Sequence, residues 1–307
     1  MPINKKMLGA LRKVMYPDNK PLKDNYKRER KVVEITHPHR LIPYYRMWNN
    51  QVVSNGHEVP VKIFFPVKAE DNARMLVFFH GGGFVTGNTD TYSKTCSRMA
   101  NITKSIVLSV EYGLAPEHPF PEGLEDCYAV VKALSESVLG EEIILIGDSA
   151  GGNLTASVSL LAKERGEFKV NKQILLYPAL NSDFSDNSPY KSVVENGSDY
   201  LLTQKRMVEY MDLYVPNKED LTNPHVAPIL AKDFSDMPDT LIITAEFDLL
   251  RDEAEDYGRK LKEAGNNVTV HRISNAVHGF ITLMPVFSEV REAYDCINEF
   301  LNRENNS

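Results

Sequence analysis

The sequence predicts an α/β protein: a mostly parallel central sheet of about eight strands, flanked by helices and carrying a mainly helical cap. Three observations predict it. Leu76–Phe79, Ile106–Val110 and Ile143–Ile146 are continuous apolar runs, as strands buried on both faces require. Helix-length segments alternate with such runs, the mark of a doubly wound sheet. Residues 182–225 then break the rhythm, and an interruption of that length is commonly a lid.

The elements follow in order. Residues 1–50 are polar and irregular, rich in Lys, Arg, Tyr and Pro. Met7–Met15 has the spacing of a short amphipathic helix, either a lone surface helix or a flap over a site. Val59–Phe65 alternates as a half-exposed strand does. After the runs at Leu76 and Ile106, Leu124–Leu139 reads as a helix. Ile143–Ile146 feeds a sharp turn at Gly147–Gly151, and Asn153–Ala162 reads as the helix beyond it. Ile174–Tyr177 is a strand stopped by Pro178. In the interruption, Gln204–Tyr214 is helical. Thr240–Thr244 is a strand, followed by a helix over Arg251–Ala264. Val268–His271 is a last short strand, and Phe280–Leu301 a closing helix broken near Pro285.

Bulk properties narrow the function. The 307 residues are 42% hydrophobic and 25% charged, which suits one large domain with a smaller cap. A net charge of −7 argues against a nucleic-acid partner. No stretch approaches the roughly 18–20 apolar residues of a membrane span, so the expectation is a soluble, cytoplasmic protein. Cys96, Cys127 and Cys296 are odd in number and widely spaced, fitting reduced thiols. No Cys or His spacing suggests a metal.

Gly147-Asp148-Ser149-Ala150-Gly151 carries the chemistry. It places a serine at the apex of a strand–turn–helix, the context of a nucleophile elbow. A Gly-x-Ser-x-Gly alone arises by chance roughly once in fifteen chains of this length. His80-Gly81-Gly82-Gly83 after the Leu76–Phe79 strand is rarer, on the order of once in a thousand. Both lie at carboxyl ends of predicted strands, where open α/β sheets hold ligands.

A serine nucleophile needs a base, and the base a carboxylate; in elbow proteins the order is Ser, acid, His. Three histidines follow Ser149. His225 falls in the interruption, before any plausible acid, and His271 within the last strand. His278 sits in a loop past that strand and is the candidate base. For the acid, Asp248 lies in the loop after Thr240–Thr244, with Glu246 its main competitor. Asp252 and Glu253 fit the next helix's first turn, where acids complement the dipole. Asp148 adjoins the nucleophile, and a neighbour on an elbow points elsewhere. The oxyanion hole is expected from the backbone N–H groups of Gly82, Gly83 and Ala150, with Gly81 the weaker choice. His80 is expected to hold the glycine loop.

These residues resemble the hormone-sensitive-lipase-like family of α/β-hydrolases, in its bacterial carboxylesterase branch. The resemblance spans about residues 60–300 and rests on four blocks: His80–Phe84, Glu111–Pro121, Gly147–Asn153, and Asp248–Glu253 with His278–Phe280. It implies an α/β-hydrolase fold, a Ser149–Asp248–His278 triad and the oxyanion hole named above. It also implies a cap built from residues 1–55 and 182–225, on a core of 56–181 and 226–307. Two positions depart from the family: Gly113 stands where Arg is usual, and Leu249 where Pro is usual.

The expected reaction is hydrolysis of short- to medium-chain acyl esters through an acyl-enzyme. It needs no metal or cofactor, and its partner is a small-molecule ester. Family members are often dimers, so a homodimer is a further expectation. Amidase, lactonase and lipase chemistry use the same scaffold, though no large apolar interfacial surface favours a lipase. Two rivals come from other classes. Gly81-x-Gly83-x-x-x-Gly87 with Glu111 imitates a dinucleotide fingerprint, but its spacing is off. A non-catalytic binding protein is the other, as in the plant gibberellin receptors, which lack the triad histidine; this chain has His278.

Overall fold

The computed structural model describes residues 21–36, 46–54, 56–68, 74–137 and 142–303. Met7–Met15 lies outside them, as do Val138 and Leu139 of the expected helix. Among the described residues, one eight-stranded sheet runs in the order β1-β2-β4-β3-β5-β6-β7-β8. The strands are β1 (Arg46–Ser54), β2 (His57–Phe65), β3 (Met75–Phe79), β4 (Ile106–Val110), β5 (Ile144–Asp148), β6 (Lys172–Leu176), β7 (Asp239–Phe247) and β8 (Val268–Val277). β2 is antiparallel to both neighbours, and every pairing from β4 to β8 is parallel.

Two helical layers cover the sheet, and the strand pleat feeds both. Successive side chains of a strand point to opposite faces. Val77, Phe79 and Leu145 enter one core with Leu124 and Cys127 of helix α3 (Glu122–Ser137) and Leu154 and Val158 of α4 (Ala150–Arg165). Leu76, Phe78, Ile144 and Ile146 enter the other, with Met99 of α2 (Ser93–Thr103) and Ile297 of α8 (Ser288–Leu301). Both faces are therefore dry, as the continuous apolar runs require. Cys96 and Cys127 are buried as free thiols. No helix of the described residues is long and apolar enough to cross a membrane.

The N-terminal region is more regular than the sequence suggests. Helix α1 (Leu22–Thr36) buries Leu22, Asn25 and Glu29, one stripe at helical spacing, although two of the three are polar. β1 pairs with β2 along its whole length, from Arg46 opposite Phe65 to Ser54 opposite His57. At the other end, β8 runs on to Val277, and α8 starts at Ser288. Only a short 3₁₀ turn at Phe280–Thr282 precedes it. Pro285 has no N–H to give a helix, so α8 begins beyond it.

Between β6 and β7 the chain forms α5 (Lys191–Asn196) and α6 (Gln204–Tyr214). Glu253, in the first turn of α7 (Arg251–Glu263), ties down the start of this excursion. It occupies the first turn as expected but does not face solvent: it is fully buried, and Oε1 accepts Leu180 N at 2.7 Å and Asn181 N at 3.1 Å. Those two bonds explain why an acid enters the core. Burial pushes its carboxyl from 4.5 up to about 8. The raised value means the folded protein favours protonated Glu253. That contribution to stability is complete below the unfolded value and is lost as pH rises through about 8. Glu253→Gln keeps an acceptor and removes the ionisation. Its Tm is expected to match the native chain near pH 5 and exceed it near pH 9. Thermal melts across that range check this; a Tm difference independent of pH sinks it.

Candidate active site

The turn from β5 into α4 is made in one residue. Ser149 takes φ 56° and ψ −118°, a left-handed conformation that costs a non-glycine residue on the order of 1–3 kcal/mol. Its backbone is held on both sides: Ser149 N donates to Leu176 O at 2.9 Å, and Ser149 O accepts Asn153 N at 3.1 Å and Ala179 N at 3.2 Å. The flanking glycines are required by space. A Cβ on Gly147 would stand 2.1 Å from Gly151 O, and one on Gly151 would stand 1.9 Å from Phe79 O.

His278 and Asp248 meet Ser149 at this apex. His278 Nε2 lies 2.9 Å from Ser149 Oγ, and Nδ1 lies 2.6 Å from Asp248 Oδ2. An ionised carboxylate can only accept, so Nδ1 carries the proton and the Nε2 lone pair receives the serine hydroxyl. Asp248 is nearly inaccessible. Its Oδ1 accepts Leu250 N at 3.0 Å, and its carbonyl accepts Asn196 Nδ2 from α5 at 3.1 Å. The other candidates are engaged elsewhere. Glu246 accepts Asn275 N, His225 pairs with Glu164, and His271 pairs with Glu292.

The glycine loop leaves β3, whose Phe79 is in register with Gly147 of β5, so it lies beside the elbow. Gly82 and Gly83 have φ of 127° and 61°, which side chains rarely tolerate. Val85 N and Thr86 N both donate to Gly82 O, closing the turn. His80 Nδ1 donates to Gly81 O at 2.8 Å, and Tyr112 donates to His80 O at 2.6 Å. Burial lowers the His80 pKa, so this imidazole is neutral and braces the loop. Glu111, the acid of the imitation dinucleotide fingerprint, accepts Thr89 N at 2.7 Å.

Several residues here escaped the sequence reading. The Tyr177 ring stands edge-on to His278, 4.9 Å between centroids. From α6, the Tyr210 ring occupies the place of a Cβ on Gly83, at 2.4 Å. Tyr214 stacks on Phe84 at 3.7 Å; Tyr200 stacks on Phe247 at 5.1 Å, and Met207 is buried. Helix α1 reaches the same place. Glu29 pairs with Arg206 of α6 at 3.0 Å, both buried. Arg30 Nε donates to Val85 O at 2.7 Å, Nη2 to Ala115 O at 2.9 Å, and the guanidinium spans the Glu117 carboxylate. Arg30 thus braces the Glu111–Pro121 block. Nothing local in the sequence marks Arg30, because its partners lie 55 to 87 residues away.

Comparison with known proteins agrees with this architecture. A family model for the α/β-hydrolase fold matches residues 76–282. The chain is 34% identical over 231 residues to an arylesterase of Saccharolobus solfataricus, covering 73% of this chain and 74% of that one. It is 33% identical over 265 residues to the carboxylesterase NlhH of Mycobacterium tuberculosis, covering 83% and 82%. A solved hyperthermophilic esterase from Pyrobaculum calidifontis superposes with a TM-score of 0.84 at 32% identity, covering 97% of each chain. The chain belongs to the α/β-hydrolase fold family, in its hormone-sensitive-lipase-like branch.

Arg30→Ala removes two charge-assisted bonds to backbone carbonyls and leaves both carbonyls part-buried. Such bonds contribute about 1.5–3 kcal/mol each at most. The variant is expected to lose about 2 kcal/mol of stability in urea melts. Arg30→Lys should not restore it, since an ammonium cannot span Val85 O, Ala115 O and Glu117 together. Full recovery by lysine would show that only charge matters there.

Proposed function

We propose that this chain is a carboxylic ester hydrolase acting on short- to medium-chain acyl esters through a Ser149–His278–Asp248 triad. The two hydrogen bonds in series, Asp248 to His278 and His278 to Ser149, carry the reading. The arylesterase and carboxylesterase relatives support the substrate class.

Ser149 Oγ attacks the ester carbonyl as its proton passes to His278 Nε2. Asp248 keeps Nδ1 protonated before the transfer and offsets the imidazolium charge after it. The oxyanion is held by the N–H groups of Gly82, Gly83 and Ala150. Their loops leave adjacent strands, which fixes them before the reaction begins. The proton on His278 Nε2 goes to the departing alkoxide, releasing the alcohol. Water, deprotonated by the same nitrogen, then attacks the acyl-enzyme and frees Ser149. The strained serine backbone suits this role, because it lifts Oγ out of both the strand and the helix.

The test is turnover of a p-nitrophenyl ester series, acetyl to palmitoyl. Native activity should be highest at the short acyl chains. Ser149→Ala should lower kcat by about a millionfold, and Asp248→Asn by about ten-thousandfold through the wrong imidazole tautomer. A Ser149→Ala rate equal to the native one defeats the proposal.

A further inference from the structure

Asp148 precedes the nucleophile, and the mechanism above gives it no task. Its carboxylate is 2% exposed and sits among donors from three separate elements. Oδ1 accepts Gly81 N, in the glycine loop, at 2.8 Å. Oδ2 accepts the Tyr92 hydroxyl, at the start of α2, at 3.0 Å, and the Tyr177 hydroxyl, just past β6, at 3.3 Å. Tyr177 is the residue whose ring abuts His278. Its φ of 37° is a left-handed conformation that an unsupported tyrosine would leave. The fit around Gly81 is tight: a Cβ there would stand 2.8 Å from Asp148 Oδ2 and 3.0 Å from the Tyr92 hydroxyl.

We infer that Asp148 is a positioning residue that sets the oxyanion loop and the seat of the base from one carboxylate. One oxygen draws the Gly81 amide toward the elbow and so fixes where Gly82 and Gly83 stand. The other holds Tyr177, and through its ring the imidazole of His278. A single rigid group therefore sets the distance between the oxyanion donors and the proton acceptor. This rests on the ester-hydrolase reading above.

Ionisation matters to this role, because only a carboxylate accepts from three donors without contributing a competing hydrogen. Burial, opposed by those donors, leaves the carboxyl raised to about 6. The titratable groups around it are Tyr92, Tyr112, Tyr177, Tyr294, Cys96 and His278. Burial pushes the four tyrosines and the thiol upward, so they remain neutral near pH 7. His278 is the one basic side chain among them.

Native chain, Asp148→Ala and Asp148→Asn are compared on p-nitrophenyl acetate across pH, with rates normalised to titratable serine. Asp148→Ala should lower kcat by about tenfold or more while KM stays within about threefold, because the oxyanion donors act in the transition state. Asp148→Asn keeps an acceptor for Gly81 N and should recover much of that kcat. With the Asp148 charge removed and Asp248 alone left beside the imidazole, its acid limb of kcat/KM should move to lower pH. A residue serving the fold alone would lower Tm and the titratable fraction, with kcat per serine and the acid limb unmoved. That result overturns the inference, as does a kcat for Asp148→Ala within about twofold of native. If Asp148→Ala does not fold, Asp148→Asn decides alone, and an unmoved acid limb overturns it. A native chain inert on every ester would instead remove the hydrolase reading, and this inference with it.

Discussion

The site depends on Ser149 being held at a φ of 56° while the chain changes from strand to helix. Strain of this kind persists only where the surroundings over-determine it. Here three backbone hydrogen bonds fix the residue. Glycines on either side let α4 press against β5 and β3 more closely than any side chain would allow. The dry cores on both faces of the sheet supply the rigidity. A looser sheet would let Ser149 relax, and its hydroxyl would withdraw from His278.

Much of this was legible because the relevant signals are local. β3, β4 and β5 announced themselves as largely apolar runs, since a strand buried on both faces has little polar surface to show. Ser149, Asp248 and His278 each lie just past a strand's carboxyl end, so the strands narrowed the candidates, while the family resemblance favoured Asp248 over Glu246. Other features were hidden for physical reasons. α1 is dominated by charged residues, and its buried face includes Asn25 and Glu29, so apolar periodicity missed it. β1 reads Arg-Met-Trp-Asn-Asn-Gln, too polar to suggest a strand. Yet the Asn55-Gly56 pair before β2 is a strong hairpin signal, and Gly56 has a φ of 85°. That clue outweighed composition.

Glu253 and Asp148 show a different limit. Each was assigned the ordinary habit of an acid in its place, one on a helix's first turn and one beside an elbow. Their destinations are set by backbone N–H groups that arrive from distant segments, 73 and 67 residues away. Arg30 is alike. Its importance lies in reaching two carbonyls of loops that need bracing, and no spacing in the sequence records that the loops and α1 are neighbours.

The buried pairing of Glu29 with Arg206, beside the grip of Arg30 on Val85 and Ala115, makes α1 a keystone between the two halves of the chain. Ser149 and His278 are themselves 129 residues apart. Closing loops of such length costs chain entropy before any contact repays it. No short stretch of the chain assembles this centre, because Ser149 and His278 must both be in place. Partly folded molecules therefore lack the assembled Ser149–His278 pair.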